Sequence, residues 1–318
     1  MEKLRIGVIG SGGIAKKRTI PGILKAENVV LTAIMDVKEE ICRDVAAMIK
    51  ERSGLDVLTF TSAEDLVNCD QVDIVYIGSP VFAHKEQVEL CAKAGKSVLC
   101  EKPLGKNVEE VEEMVKAVRE AGIHAGTAFM MRFHTFHRQL HDMIARGDFG
   151  QIISARVQQV FWYPDLPNCW RQVKELGGGG ALMDVGVHNI DLIEYITGSK
   201  TMQITGFTET RTFKYNVDDI CNLLIKLENG AVAYIDGAFN EFQGPEGSLL
   251  EIYGTKGTVI LRGSVGQEEA GTVEGFLLDE DGKQRPLELT PDFTDLYQKE
   301  VDAFALSVLE DTKEPVPL

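Results

Sequence analysis

The order of patterns along the 318 residues predicts an α/β protein in two domains, 1–128 and 129–318. Over the first stretch short apolar runs alternate with helical patterns, which builds a parallel sheet with right-handed crossovers. From Gln151 the chain turns β-rich, with turn signals at Glu228-Asn229-Gly230 and Gly254-Thr255-Lys256-Gly257, which predicts a largely antiparallel sheet carrying a helix or two.

Residues 4–9 (Leu-Arg-Ile-Gly-Val-Ile) form the first predicted strand, and Gly10-Ser11-Gly12-Gly13-Ile14-Ala15 follows before a helix. This is a G-x-G-x-x-A run where a dinucleotide fingerprint belongs: Gly10 allows a tight turn, Gly12 lets backbone approach a pyrophosphate, and Ala15 is small enough for close helix–strand packing. The second strand, 29–35, ends at Asp36, the acid expected on the ribose hydroxyls of the adenosine half, so NAD is preferred, while Lys38 leaves room for NADP. The alternation continues through Asp65-Leu66-Val67, a strand over 72–77, a helix over 83–94, a strand over 97–100, a helix over 107–121 and a strand at 124–129. Gly78-Ser79-Pro80 and Glu101-Lys102-Pro103 follow strand ends and are expected to border the cofactor, because ligands of open α/β sheets lie beyond the carboxyl ends of the strands. Taken alone, Lys102 is either a surface lysine or a cation held near the nicotinamide.

Beyond Phe129 a helix is expected over 135–146, and strands at 151–161, 202–213, 219–227, 231–239, 248–253, 257–261 and 272–278. His134, His137 and His141 fall at helical spacing without the Cys or carboxylate that completes a ligand set, so no metal site is expected. Between these strands Gly177-Gly178-Gly179-Gly180 reads as a flexible approach to a helix on which Asp184, His188 and Asp191 recur at i, i+4 and i+7. A carboxylate one turn from an imidazole suits acid/base chemistry, since histidine titrates near neutral pH. By spacing alone, three solvated residues explain the pattern equally well.

A formal net charge of −16 disfavours nucleic acid and anionic membranes as partners. Six cysteines without a C-x-x-C pair fit a reduced, cytoplasmic setting. The N-terminus, Met1-Glu2-Lys3, leads straight into the first strand without a signal-peptide core, and no apolar run reaches membrane-spanning length, so neither export nor insertion is expected.

Taken in order, Gly10–Ala15, Gly78-Ser79-Pro80 with His84, Glu101-Lys102-Pro103, Arg132-Phe133, Trp170-Arg171 and Gly178–Asp191 resemble the Gfo/Idh/MocA oxidoreductases, relatives of glucose-fructose oxidoreductase and inositol dehydrogenase. The resemblance implies a Rossmann NAD(P)-binding domain, then an α/β domain whose open, mostly antiparallel sheet commonly forms subunit contacts, hence a homodimer or homotetramer. It also implies that Lys102, Asp184 and His188 hold the family's catalytic positions. The expected reaction is hydride transfer between nicotinamide and a carbinol of a sugar, cyclitol or related polyol. His188 would handle the proton, Asp184 would orient His188 or the substrate, and Lys102 would stabilise the developing alkoxide. Arg132, Trp170, Arg171 and Asp191 are the expected substrate-binding residues, with Trp170 and Tyr163 able to stack on a sugar and Arg171 able instead to bind a carboxylate or phosphate. The alternatives are an NAD-retaining glycosidase of the same fold and a non-catalytic NAD(P)-binding regulator. Two departures stand out: Thr135 replaces a proline common after Arg132-Phe133, and the sequence stops at Glu314-Pro315-Val316-Pro317-Leu318, where many members continue into a final helix. This implies either a truncated chain or a missing closing helix.

Overall fold

Strands that read as unbroken apolar runs need both faces covered, and the inner strands of the first six meet that need in a parallel sheet. The computed structural model describes residues 3–244 and 247–318; Met1 and Glu2, ahead of the first strand, lie outside the described residues. The strands are β1 (Leu4–Ile9), β2 (Val29–Met35), β3 (Leu58–Phe60), β4 (Ile74–Ile77), β5 (Ser97–Glu101) and β6 (Ala125–Ala128), in the order β3-β2-β1-β4-β5-β6. Helices α1 (Ile20–Ile23), α2 (Glu39–Ser53), α3 (Ala63–Val67), α4 (His84–Lys93) and α5 (Val108–Ala121) connect them, and a π turn at Ala15–Thr19 precedes α1. Helix α5 has a local cause at each end. The Asn107 side chain accepts the Glu110 N–H at 2.9 Å to open α5, and Gly122 closes it in the left-handed region.

The β-rich part follows α6 (Thr135–Ala145). Its strands are β7 (Ile152–Val160), β8 (Thr201–Glu209), β9 (Ile220–Leu227), β10 (Val232–Ala238), β11 (Leu249–Gly254), β12 (Gly257–Arg262), β13 (Thr272–Leu278) and β14 (Gln284–Pro286). They form one eight-stranded sheet, β14-β13-β12-β11-β7-β10-β9-β8, in which only β7 and β10 pair in parallel. A short α7 (Lys174–Gly177) and the longer α8 (Val187–Thr197) interrupt the strands. Helix α8 packs on β7, β10 and α6, burying Leu192, Ile193 and Ile196. Gly237 of β10 lies under the approach to α8, where a Cβ would stand 2.9 Å from Val185. The other sheet face is open, with Leu224 and Tyr234 exposed on it beside Arg156, Asp236 and Glu251.

The structure divides the chain into two compact units, Met1–Phe129 with Tyr297–Leu318, and Met130–Leu296. The C-terminal segment, expected with the second domain, therefore belongs to the first unit. A closing helix is present, α9 (Leu296–Leu309), and buries Val301, Phe304 and Ala305 in the core beside β1 and β2. Past it the chain pairs with β6: Thr127 N–H donates to the Val316 carbonyl and Leu318 N–H to that of Ala125, at 2.9 and 3.0 Å. Asp65–Val67 lies in α3, and the neighbouring strand is Leu58–Phe60, too exposed to show an apolar run. No helix among the described residues is long and apolar enough to cross a membrane.

Phe304 is only 2% exposed. Phe304→Ala is expected to destabilise the first unit by about 3–5 kcal/mol, read as a lower urea midpoint at unchanged slope.

Candidate active site

In the parallel register Ile9 stands beside Met35 and Ile77, Ile77 beside Cys100, and Glu101 beside Ala128. The strands thus end at one level, and Gly10, Asp36, Gly78 and Lys102 all leave the sheet on its carboxyl edge. Gly10 has φ +77°, and a Cβ there would stand 2.5 Å from Ser79 N, so the turn after β1 closes on the turn after β4 only because position 10 is glycine. The Gly10 and Ser11 N–H groups both donate to the Met35 carbonyl. Gly13 and Ile14 lead into the π turn at Ala15. The Asp36 carboxylate accepts from Gly12 N–H at 3.3 Å and Lys38 N–H at 3.1 Å, which holds it against the glycine turn. Buried Ser11 and Cys42 lie beneath it, the Cys42 sulfur accepting the Asp36 N–H. A close glycine turn, a helix N-terminus and an anchored acid at the end of β2 fit a dinucleotide: N–H groups for the pyrophosphate, Asp36 for ribose hydroxyls.

The two other loops are braced from below. His84, 1% exposed, sets Nε2 against the Ser79 carbonyl and Nδ1 against that of Pro103, at 2.9 and 3.0 Å, tying the turn after β4 to the turn after β5. The Ser79 hydroxyl donates to Gln87. Glu101 is also buried; the Tyr76 hydroxyl donates to its Oε1 at 2.5 Å and accepts from Thr19, and the Lys102 N–H meets Oε2 at 3.2 Å. Burial, with the carboxylates of Glu101 and Glu300, holds the Tyr76 phenol well above its ordinary range. His84 and Glu101, both expected on the cofactor side, are thus buried and hydrogen-bonded beneath these turns, while Pro80 and Lys102 are half-buried.

In the second unit the four glycines are packed rather than flexible. A Cβ at Gly177 would sit 3.3 Å from the Trp170 and Arg171 carbonyls, Gly178 closes α7 at φ +77°, and a Cβ at Gly179 would come within 2.7 Å of Met183. The helix they enter opens with a π turn, Leu182–Gly186. Asp184 lies in that turn and His188 in the first turn of α8, the imidazole 5% exposed and the carboxylate half-buried. The widened turn shifts Asp184 round the axis relative to Asp191, which share a stripe in a straight α-helix. π turns of this kind often mark functional sites.

Asp191 takes a different partner. Arg132 Nε donates to both of its oxygens, at 2.9 and 3.1 Å, and the guanidinium lies 5.3 Å from the centre of the Tyr195 ring. His141 stacks on Tyr195 at 4.5 Å and bonds its carbonyl through Nδ1. Burial raises the Asp191 carboxyl above its ordinary value, and the Arg132 bonds offset part of that rise. Burial lowers Arg132, and Asp191 more than restores it. The two residues expected to meet substrate are thus brought to each other. Arg171 lies over the Trp170 ring at 4.3 Å, and Tyr163 shares a hydrogen bond with Cys169 at 3.0 Å, its phenol raised by burial. Gln172, which the sequence does not single out, ties this segment together: its amide donates to the Pro164 carbonyl and accepts the Leu166 N–H. His134 and His137 stack at 4.4 Å with their nitrogens on protein partners, and the described residues contain no metal-binding cluster.

Family models cover both parts of the chain. The model of an oxidoreductase family with an NAD-binding Rossmann fold matches residues 4–129, and that of the GFO/IDH/MocA C-terminal domain matches 137–260. The 1,5-anhydro-D-fructose reductase of Ensifer adhaerens is 32% identical over 94% of this chain and 86% of its own. The myo-inositol 2-dehydrogenase of Thermotoga maritima is 28% identical over 80% of this chain and 74% of its own. Among solved structures, the aldose-aldose oxidoreductase of Caulobacter crescentus superposes with a TM-score of 0.87 at 24% identity, over 99% of this chain and 92% of that one, a likeness of fold.

Arg132→Met should leave the Asp191 carboxylate without its buried partner and cost about 3–5 kcal/mol in urea unfolding. Arg132→Met with Asp191→Leu should recover most of that loss; a double variant as unstable as the single would contradict the pairing.

Proposed function

Because the chain belongs to the Gfo/Idh/MocA oxidoreductase family, we propose that it transfers hydride between a nicotinamide and a carbinol carbon of a sugar, cyclitol or anhydro sugar, with Lys102, Asp184 and His188 as its catalytic residues. The observation that carries the reading is Asp184 and His188 at the start of one buried helix in the second unit, in a chain whose first unit has the glycine turn and anchored acid of a dinucleotide site. Relatives named as an anhydrofructose reductase and an inositol dehydrogenase support the substrate class.

Gly10, Ser11, Gly12, Gly13 and Ile14 would hold the pyrophosphate, Asp36 the adenosine ribose, and Gly78, Ser79, Pro80 and Lys102 the nicotinamide end. When bound, the cofactor supplies the two-electron step as a hydride acceptor or donor. The remaining task is one proton and one developing charge. His188 takes the hydroxyl proton during oxidation and returns it during reduction, and its burial keeps water from competing for that proton. Asp184 fixes the His188 ring or a substrate hydroxyl, and the Lys102 ammonium stabilises negative charge on the carbinol oxygen. Anchored Asp36 favours NAD, since a 2′-phosphate would meet a carboxylate held by two backbone N–H groups.

Trp170 and Arg171 present a cation–aromatic pair for substrate, while Arg132 and Asp191 act through their mutual bond. The exposed apolar side chains on and beside the open sheet face, including Ile204, Phe207, Leu224 and Tyr234, support a homodimer or homotetramer. Six free cysteines, four of them buried, support a reducing cytoplasmic setting.

In single-turnover hydride transfer with a reactive polyol or sugar, His188→Ala and Lys102→Ala are each expected to be slower by about 10²-fold or more. Near-parental rates in both would sink the assignment. A panel of aldoses, inositols and anhydro sugars should give NADH, whereas aryl alcohol released from aryl glycosides without NADH would favour the glycosidase. Light scattering should return a dimer or larger, and Phe207→Glu with Tyr234→Glu should shift it toward monomer.

A further inference from the structure

We propose that Asp218 is the residue that positions the acid/base helix: it fixes where the turn carrying Asp184 begins, and through it where Asp184 and His188 stand. This rests on the roles given to those two residues above. A helix leaves its first N–H groups without partners of its own. Residues 177–182 (Gly-Gly-Gly-Gly-Ala-Leu) include no side chain able to cap them. Three consecutive N–H groups go instead to one distant residue. Gly180 N–H donates to Asp218 Oδ1 at 2.8 Å, Ala181 N–H to the Asp218 carbonyl at 2.9 Å, and Leu182 N–H to Asp218 Oδ2 at 2.7 Å. Charge-assisted bonds to N–H groups are stronger than neutral ones, and a negative charge at this end complements the helix dipole.

The fit needs glycine on the other side, because a Cβ on Gly180 would run into the Asp218 carbonyl. The clamp reaches the site in one step, for the Asp184 N–H donates to the carbonyl of the clamped Gly180 at 2.9 Å. It is also anchored. The next residue, Asp219, is fully buried and accepts from Arg211, Thr212 and Phe213 N–H groups at 2.8 to 3.0 Å and from the Asn240 amide at 3.1 Å. Asp219 N–H donates to the Glu209 carbonyl, and Phe239 N–H to that of Asp219, which fastens the pair to the ends of β8, β9 and β10. A rigid sheet end, rather than the glycine run, thus sets the place of Asp184.

Asp218→Asn keeps the length of the side chain and turns one acceptor into a donor facing an N–H. Expected are a fall in kcat of about 10²-fold, KM for the nicotinamide cofactor within about twofold of the parent, and a displaced pH–rate limb, the limb that His188→Ala abolishes. Hydrogen exchange should quicken by about tenfold or more in peptides spanning 178–187 and stay at parental rates elsewhere. Gly180→Ala, which forces the same contact apart from the other side, should give the same set of changes, with the double variant no worse than the worse single. The proposal is overturned if Asp218→Asn turns over within about twofold of the parent, or if exchange at 178–187 is unchanged. Loss of protection throughout the second unit in both variants also overturns it, since Asp218 would then support the fold alone. If His188→Ala is as active as the parent, the reading of the reaction fails, while exchange at 178–187 still decides whether Asp218 holds the turn.

Discussion

Parallel pairing of the first sheet is the constraint on which the cofactor side of this protein depends. Strands paired side by side in one direction end side by side, so turns that are far apart in sequence open at a common edge. Gly10 then comes so close to the Ser79 backbone that position 10 must lack a side chain. The acid at the end of β2 meets the same turn and is held by it. The buried Thr19, Tyr76 and Glu101 network and the His84 brace lie beneath those turns, and their satisfied hydrogen bonds stiffen loops that would otherwise rest on glycine and proline alone.

The second unit solves the equivalent problem with a helix on a sheet. An antiparallel sheet has no common carboxyl edge, so its functional groups are carried on a helix laid over one face, and the start of that helix has to be located. Sequence-local means are missing there, as glycine neither caps nor fixes direction, and one carboxylate supplied from a strand end, that of Asp218, performs that task. The helix that follows the glycine turn and the helix that carries Asp184 and His188 both open with a π turn, at Ala15–Thr19 and at Leu182–Gly186. Such turns are costly in isolation and persist where surrounding contacts over-determine them.

Much of the fold was legible because the strands that matter are buried on both faces or alternate cleanly, and glycine and asparagine mark the turns. β3 escaped because two of its three residues are exposed and only Phe60 is half-buried. The closing helix is legible in principle, since Leu296, Val301, Phe304, Ala305 and Val308 recur on one helical face. Among the site residues, the glycine turn and Asp36 were legible from motif spacing. Arg132 and Asp191 could each be named, but not their bond, because 59 residues separate them and one sequence carries no record of which distant side chains meet. Asp218 left an indirect trace, an uncapped helix start and two adjacent acids ahead of an apolar strand.

The return of α9 and the C-terminal tail to the first unit makes the second unit an insertion between residues 129 and 297. During synthesis the first six strands emerge long before Val301, Phe304 and Ala305, which complete their core. The parallel sheet must therefore wait, partly open, while some 167 residues of the other unit are made and folded, from Met130 to Leu296. The order of ribosomal delivery thus favours an early-folding second unit, and changes that slow its folding would prolong the exposure of apolar strands belonging to the first.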